Sequence, residues 1–252
     1  MSHLIEAMHY EKEEQFKEAI LEYEKAFKEE PKNPRPYILR AMLFEELAQF
    51  EEALEDCDSA LYLDPHNSEV LNLRGEVLSS LEKFDDAIID FSTSLLIDPK
   101  NEITLYNRGL AYAAVGELNN AVADFSKSLE IDPLFGGAYN NIGLAHFRLE
   151  DYEAALADFT KALEVRKGFA CSFTHRGRVH EKLQNMQYAL DDYSSALKIS
   201  PSDADSLYYR SLLLLNQGNK DDAVADLKLL LEKAPSNNQF RVLANQKLEE
   251  LK

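Results

Sequence analysis

The sequence predicts an all-α solenoid of helix-turn-helix hairpins, on the strength of three periodic marks. A lone alanine in helical surroundings recurs every 34 residues, at Ala19, Ala53, Ala87, Ala121, Ala155, Ala189 and Ala223. Proline keeps the same period at Pro31, Pro65, Pro99, Pro133, Pro201 and Pro235, with Lys167 in the vacant slot. A small residue does the same at Ala7, Ala41, Gly75, Gly109, Gly143, Gly177 and Ser211. A fixed period of this length marks a stack of like hairpins, each packing on its neighbours.

The elements follow in order. Residues 1–33 form the first unit, with Ser2 as its expected N-cap. Its second helix carries Phe16, Ala19, Ile20, Tyr23, Ala26 and Phe27, an apolar stripe at spacings of three and four. Pro31 ends that helix, because the residue before a proline is pushed out of helical geometry. Further units are expected at 34–67, 68–101, 102–135, 136–169, 170–203 and 204–237. Residues 238–252 read as a capping helix, with Phe240, Val242, Leu243, Leu248 and Leu251 on one side. The whole of 1–252 is thus expected to be one solenoid.

Residue types within a unit have physical reasons. The small residue of the first helix and the alanine of the second let two backbones approach, and a larger group there overpacks. The residue after that alanine (Tyr23, Cys57, Phe91, Phe125, Phe159, Tyr193, Leu227) fills the gap to the next element. Asp56, Asp90, Asp124, Asp158, Asp192 and Asp226 share one unit position. Arg40, Arg74, Arg108, Arg176 and Arg210 share another. The expected result is a ladder in which each Arg grips an Asp of a packed second helix, that of the preceding unit. Unit five has Ile142 in the Arg slot, so one carboxylate is expected to lack this partner.

Units four and six carry a familiar pattern: Leu105, Arg108-Gly109, Tyr112, Ala121, Phe125, Ser128 and Pro133, then Phe173, Arg176-Gly177, His180, Ala189, Tyr193, Ala196 and Pro201. This pattern resembles the tetratricopeptide repeat (TPR) family over nearly the whole chain. The resemblance implies a right-handed superhelix whose first helices line a concave groove. It also implies a protein-binding scaffold rather than an enzyme. Fold alone does not name the partner.

Charge narrows the partner class. There are 27 Lys and Arg against 45 Asp and Glu, a net of −18. That argues against a nucleic-acid surface, which needs clustered positive charge. No run approaches the roughly 20 apolar residues that span a bilayer, so no membrane partner is expected. No signal peptide is visible, and Cys57 and Cys171 sit at different unit positions, which disfavours a disulfide framework. A cytoplasmic setting is the expectation.

No phosphate loop, zincin helix, dinucleotide-binding glycine cluster or nucleophile elbow occurs, so no cofactor, metal or catalytic residue is assigned. Cys171 and His175 lie four apart on one helix face, too few groups for a metal site. His146 and His180 take the slot of Tyr10 and Tyr112 and read as packing residues.

The resemblance places a candidate peptide-binding set on the first helices: Asn72, Tyr106, Asn107, Asn140, Asn141, Phe147, Arg148, His175, Arg178, Lys182, Tyr208 and Tyr209. In long superhelical members of the family, asparagines at the position of Asn107 and Asn141 grip a peptide backbone, since an amide both donates and accepts. Arg148, His175, Arg178 and Lys182 are expected to form a positive patch able to hold a partner's carboxylate. The clamp that chaperone-binding members use needs basic residues that no register supplies here, which argues against chaperone C-terminal tails. The expected function is a non-catalytic scaffold holding an extended peptide or a partner helix. The alternative is an assembly factor that self-associates through its convex face or terminal helices.

Overall fold

The computed structural model describes residues 2–251. Among them lie fifteen α-helices and no strand. The first hairpin is α1 (His3–Lys12) with α2 (Phe16–Glu29), the second α3 (Arg35–Glu46) with α4 (Phe50–Leu63). Next come α5 (Ser68–Ser80) with α6 (Phe84–Ile97), and α7 (Glu102–Ala114) with α8 (Leu118–Ile131). The pattern continues through α9 (Gly136–Arg148) with α10 (Tyr152–Val165), and α11 (Ala170–Lys182) with α12 (Met186–Ile199). It ends with α13 (Ala204–Asn216), α14 (Lys220–Lys233) and the final α15 (Gln239–Glu250). The helices group into two compact units, Met1–Ile131 and Asp132–Lys252.

Local chemistry sets the helix ends. Asn67, Asn101 and Asp203 cap α5, α7 and α13, each accepting a bond from the backbone N–H three residues on. Ser2 stands at the N-cap of α1, but its side chain makes no capping bond. Within every hairpin one residue turns into the left-handed region: Glu14, Ala48, Glu82, Gly116, Glu150, Gln184 and Gly218. The following N–H then bonds back across the turn, as from Gln49 to Phe44 O and from Lys83 to Leu78 O, both at 2.8 Å. Glycine occupies only two of the seven positions, so this shared turn leaves little mark in the sequence.

The three periodic marks meet in the packing. All seven alanines of the second helices are fully buried. In four hairpins the small residue of the first helix is a glycine facing an aromatic ring. A Cβ on Gly75, Gly109, Gly143 or Gly177 would come within 2.6–2.8 Å of the ring of Phe91, Phe125, Phe159 or Tyr193. Each of these rings is fully buried, worth roughly 2–3 kcal/mol apiece.

The Arg–Asp ladder forms, with a corrected register. Arg40, Arg74, Arg108, Arg176 and Arg210 grip Asp56, Asp90, Asp124, Asp192 and Asp226 of their own hairpins, not the preceding ones, through paired bonds of 2.6–2.9 Å. The remaining guanidinium nitrogen reaches back to the preceding second helix. Arg74 meets Asp58 there at 2.7 Å, and Arg108 meets Ser92 at 3.0 Å. The antiparallel hairpin brings first-helix and second-helix positions level, so both carboxylate bonds fall within it. In hairpin five, Asp158 takes His146 Nδ1 at 2.6 Å in place of the missing Arg.

Candidate binding face

Within each unit, neighbouring first helices touch through side-chain bonds between residues 31, 32 or 35 apart. The offset of 35 exceeds those of 31 and 32 by four and three, the spacings of one helical face. A row of residues 31 apart therefore crosses successive first helices. One such row is Glu45, Glu76 and Asn107 in the first unit, and another is Phe147, Arg178 and Tyr209 in the second.

In the first unit, Asn107 Nδ2 donates to Glu76 Oε1 at 2.5 Å and lies 3.5 Å from Asn72 Oδ1. Asn72 Nδ2 also donates to Glu76, at 3.0 Å. Burial raises the Glu76 carboxyl above its ordinary range, the two amides oppose that, and the nearby Glu45 adds to it. Around this group lies a hollow of about 290 Å³ that includes Glu45, Phe84 and Leu110. Both asparagines are thus turned toward Glu76. Tyr106 leans on Phe125, with ring centroids 5.4 Å apart.

The second unit carries a cavity of about 460 Å³ lined from α9, α11 and α13. Phe147, Arg178 and Tyr209 line it together with Glu181, Lys182, Gln184 and Met186. The Arg178 guanidinium lies 4.9 Å from the Phe147 ring centroid and 5.1 Å from that of Tyr209. A cation at such a distance over an aromatic ring is attracted by it. Tyr209 in turn stacks on Tyr193 and meets Tyr208 and Phe240 edge-on, at centroid distances of 6.0, 5.7 and 5.8 Å.

Several sequence-derived candidates take different roles from those expected. Asn140 is buried, and its Oδ1 accepts from Ser172 Oγ at 2.9 Å and sits 3.0 Å from His175 Nδ1. Burial, helped by the Arg178 charge, pushes the His175 pKa down to about 4. His175 is therefore neutral at neutral pH and contributes no charge to the expected positive patch. The same burial raises the Cys171 thiol, so Cys171 and His175 supply no thiolate–imidazolium pair. Asn141 is half-buried on α9, while Arg148 and Lys182 are exposed near the ends of α9 and α11. His180 packs on Tyr188, with centroids 5.3 Å apart. Gln184 and Met186, which the sequence reading passed over, reach the cavity from the turn after α11 and the start of α12. Their signal was spatial: both line the same cavity as Phe147, Arg178 and Tyr209.

One group among the described residues has metal-ligand chemistry: His3, Glu6 and Glu22, whose ligand atoms lie within 4.8 Å of one another. Glu22 is already bonded by His3 at 2.5 Å and by Lys25 at 2.6 Å. These residues are the first hairpin's counterpart of the ladder, with Glu6 in the Arg position and Glu22 in the Asp position. No described helix is long and apolar enough to cross a membrane.

Comparison with known proteins agrees with the geometry. Four family models, each described as a tetratricopeptide repeat, match residues 11–77, 68–101, 103–135 with 137–169, and 174–238. No curated protein matches the sequence. Among solved structures, a tetratricopeptide repeat protein from Parabacteroides merdae covers 96% of both chains, with a TM-score of 0.78 at 20% identity. YrrB, described as a TPR protein with an unusual peptide-binding site, covers 75% of this chain and 97% of its own, with a TM-score of 0.63 at 23% identity. MamA covers 63% of this chain and 93% of its own, with a TM-score of 0.58 at 26% identity.

Proposed function

Because the chain belongs to the tetratricopeptide repeat family, a family of protein-interaction scaffolds, we propose that it holds a partner protein's extended segment or helix along its first helices, without catalysis. The cavity across α9, α11 and α13 carries this reading. The second-helix alanines and rings are consumed by packing, whereas this face keeps aromatic and polar groups beside open space. A face assembled from rigid helices loses little entropy when it binds. Asn141, Phe147, Arg178, Tyr208 and Tyr209 of the second unit are the residues we assign to contact the guest, with Arg148 and Lys182 at exposed ends.

A second reading is self-association through second helices. Tyr62 and Leu96 hold one unit position on α4 and α6 and are 87% and 83% exposed, unusual for such side chains. Photo-reactive residues placed singly at Tyr209 and Tyr62 separate the two. The proposal expects partner cross-links in native extract from position 209. Cross-links confined to position 62, joining copies of the chain, would favour self-association and overturn it.

A further inference from the structure

Resting on that first-helix reading, we infer that Arg178 is a receptor for a carboxylate of the guest segment. The ladder arginines are spoken for: Arg40, Arg74, Arg108, Arg176 and Arg210 each hold an Asp through two bonds. Arg178 lies 4.9 and 5.1 Å from the centroids of two rings, and no carboxylate among the described residues lies within 4.0 Å of it. Glu181 and Asp205 are near enough to feel its charge. Neither closes on it, and Glu181 is engaged by the Tyr193 hydroxyl.

The guanidinium dictates which ligand fits. A guanidinium carries five N–H donors in its plane, pointing along its edges. An edge of that kind matches a planar carboxylate through two parallel bonds. Lys182, one turn further along α11, adds a second positive charge at the same cavity. Met186 and the two rings offer apolar wall to an aliphatic stem. Coulomb attraction grows as distance falls, so a guest carboxylate in direct contact outcompetes Glu181 and Asp205 at their present separation. The carboxylate belongs to an acidic side chain or to the guest's C-terminus, and the two sources share this chemistry.

The test presents the full chain with two random peptide libraries, one C-terminally amidated and one with free C-termini. We expect an acidic residue enriched at one fixed position in the amidated library, or a free terminus required in the other. The selected peptide should bind Arg178→Met about ten- to a hundredfold more weakly, the loss of a charged hydrogen-bonding group, with melting temperature unchanged. Arg178→Lys, which keeps charge but not the planar edge, should fall between. Peptides that bind the first-helix face without any carboxylate requirement, or bind Arg178→Met equally well, overturn this inference and leave the groove reading standing. Enrichment of no peptide, or of peptides that cross-link only to second helices, overturns both.

Discussion

Gly109 faces the Phe125 ring so closely that a Cβ would stand 2.6 Å from a ring carbon. Size is traded across the hairpin: glycine opposes a ring in four hairpins, while Ala41 opposes Cys57 and Ser211 opposes Leu227. Hairpin one, with Ala7 opposite Tyr23, departs from the trade. Gly109→Ala gains about 1 kcal/mol of helix propensity against roughly 1–3 kcal/mol of overpacking. We therefore expect net destabilisation in urea unfolding. In a Phe125→Leu background the same change should become neutral or stabilising. A stabilised single variant would contradict the packing account. The 34-residue period made these positions legible, since it reports which residues must be small. It could not report that Asn140 spends its amide on Ser172 and His175, because that depends on which neighbours meet between α9 and α11.

Helices are joined by a repeated ion pair as well as by rings. Asp124 keeps only 4% of its side chain exposed, and Arg108 only 17%. Removing one partner of a buried pair leaves an uncompensated charge and costs about 3 kcal/mol or more. Arg108→Met should accordingly lower the denaturation midpoint strongly, without changing its slope. Replacing both members, as Arg108→Met with Asp124→Leu, should restore much of the loss. A single variant as mild as a surface substitution, about 0.5 kcal/mol, would show that the ladder does not hold the hairpins. The ladder's existence was readable from matching periods. Its register was not, because Arg bridges two second helices: two nitrogens bond within the hairpin and the third reaches the one before. Period alone fits either partner. Hairpin five shows the rule by its exception, where His146 replaces the absent Arg at Asp158.

Across the molecule, seven hairpins and a final helix follow one sequence period, and the family models match along nearly its full length. The fold was legible because each unit repeats the same few packing constraints, so weak signals add in register. The binding face was less so, because its neighbours are 31 and 35 residues apart rather than 34. Reading it needs the stagger between helices, which only the folded chain supplies. That stagger joined Phe147, Arg178 and Tyr209 from the candidate set and removed His175 as a source of charge.

Hydrogen exchange on the complex with a captured partner tests the central claim most directly. Protection gained on α9, α11 and α13, with α10, α12 and α14 unchanged, is the result expected of a guest lying along the first helices. Protection confined to second helices such as α4 and α6, around Tyr62 and Leu96, would contradict it.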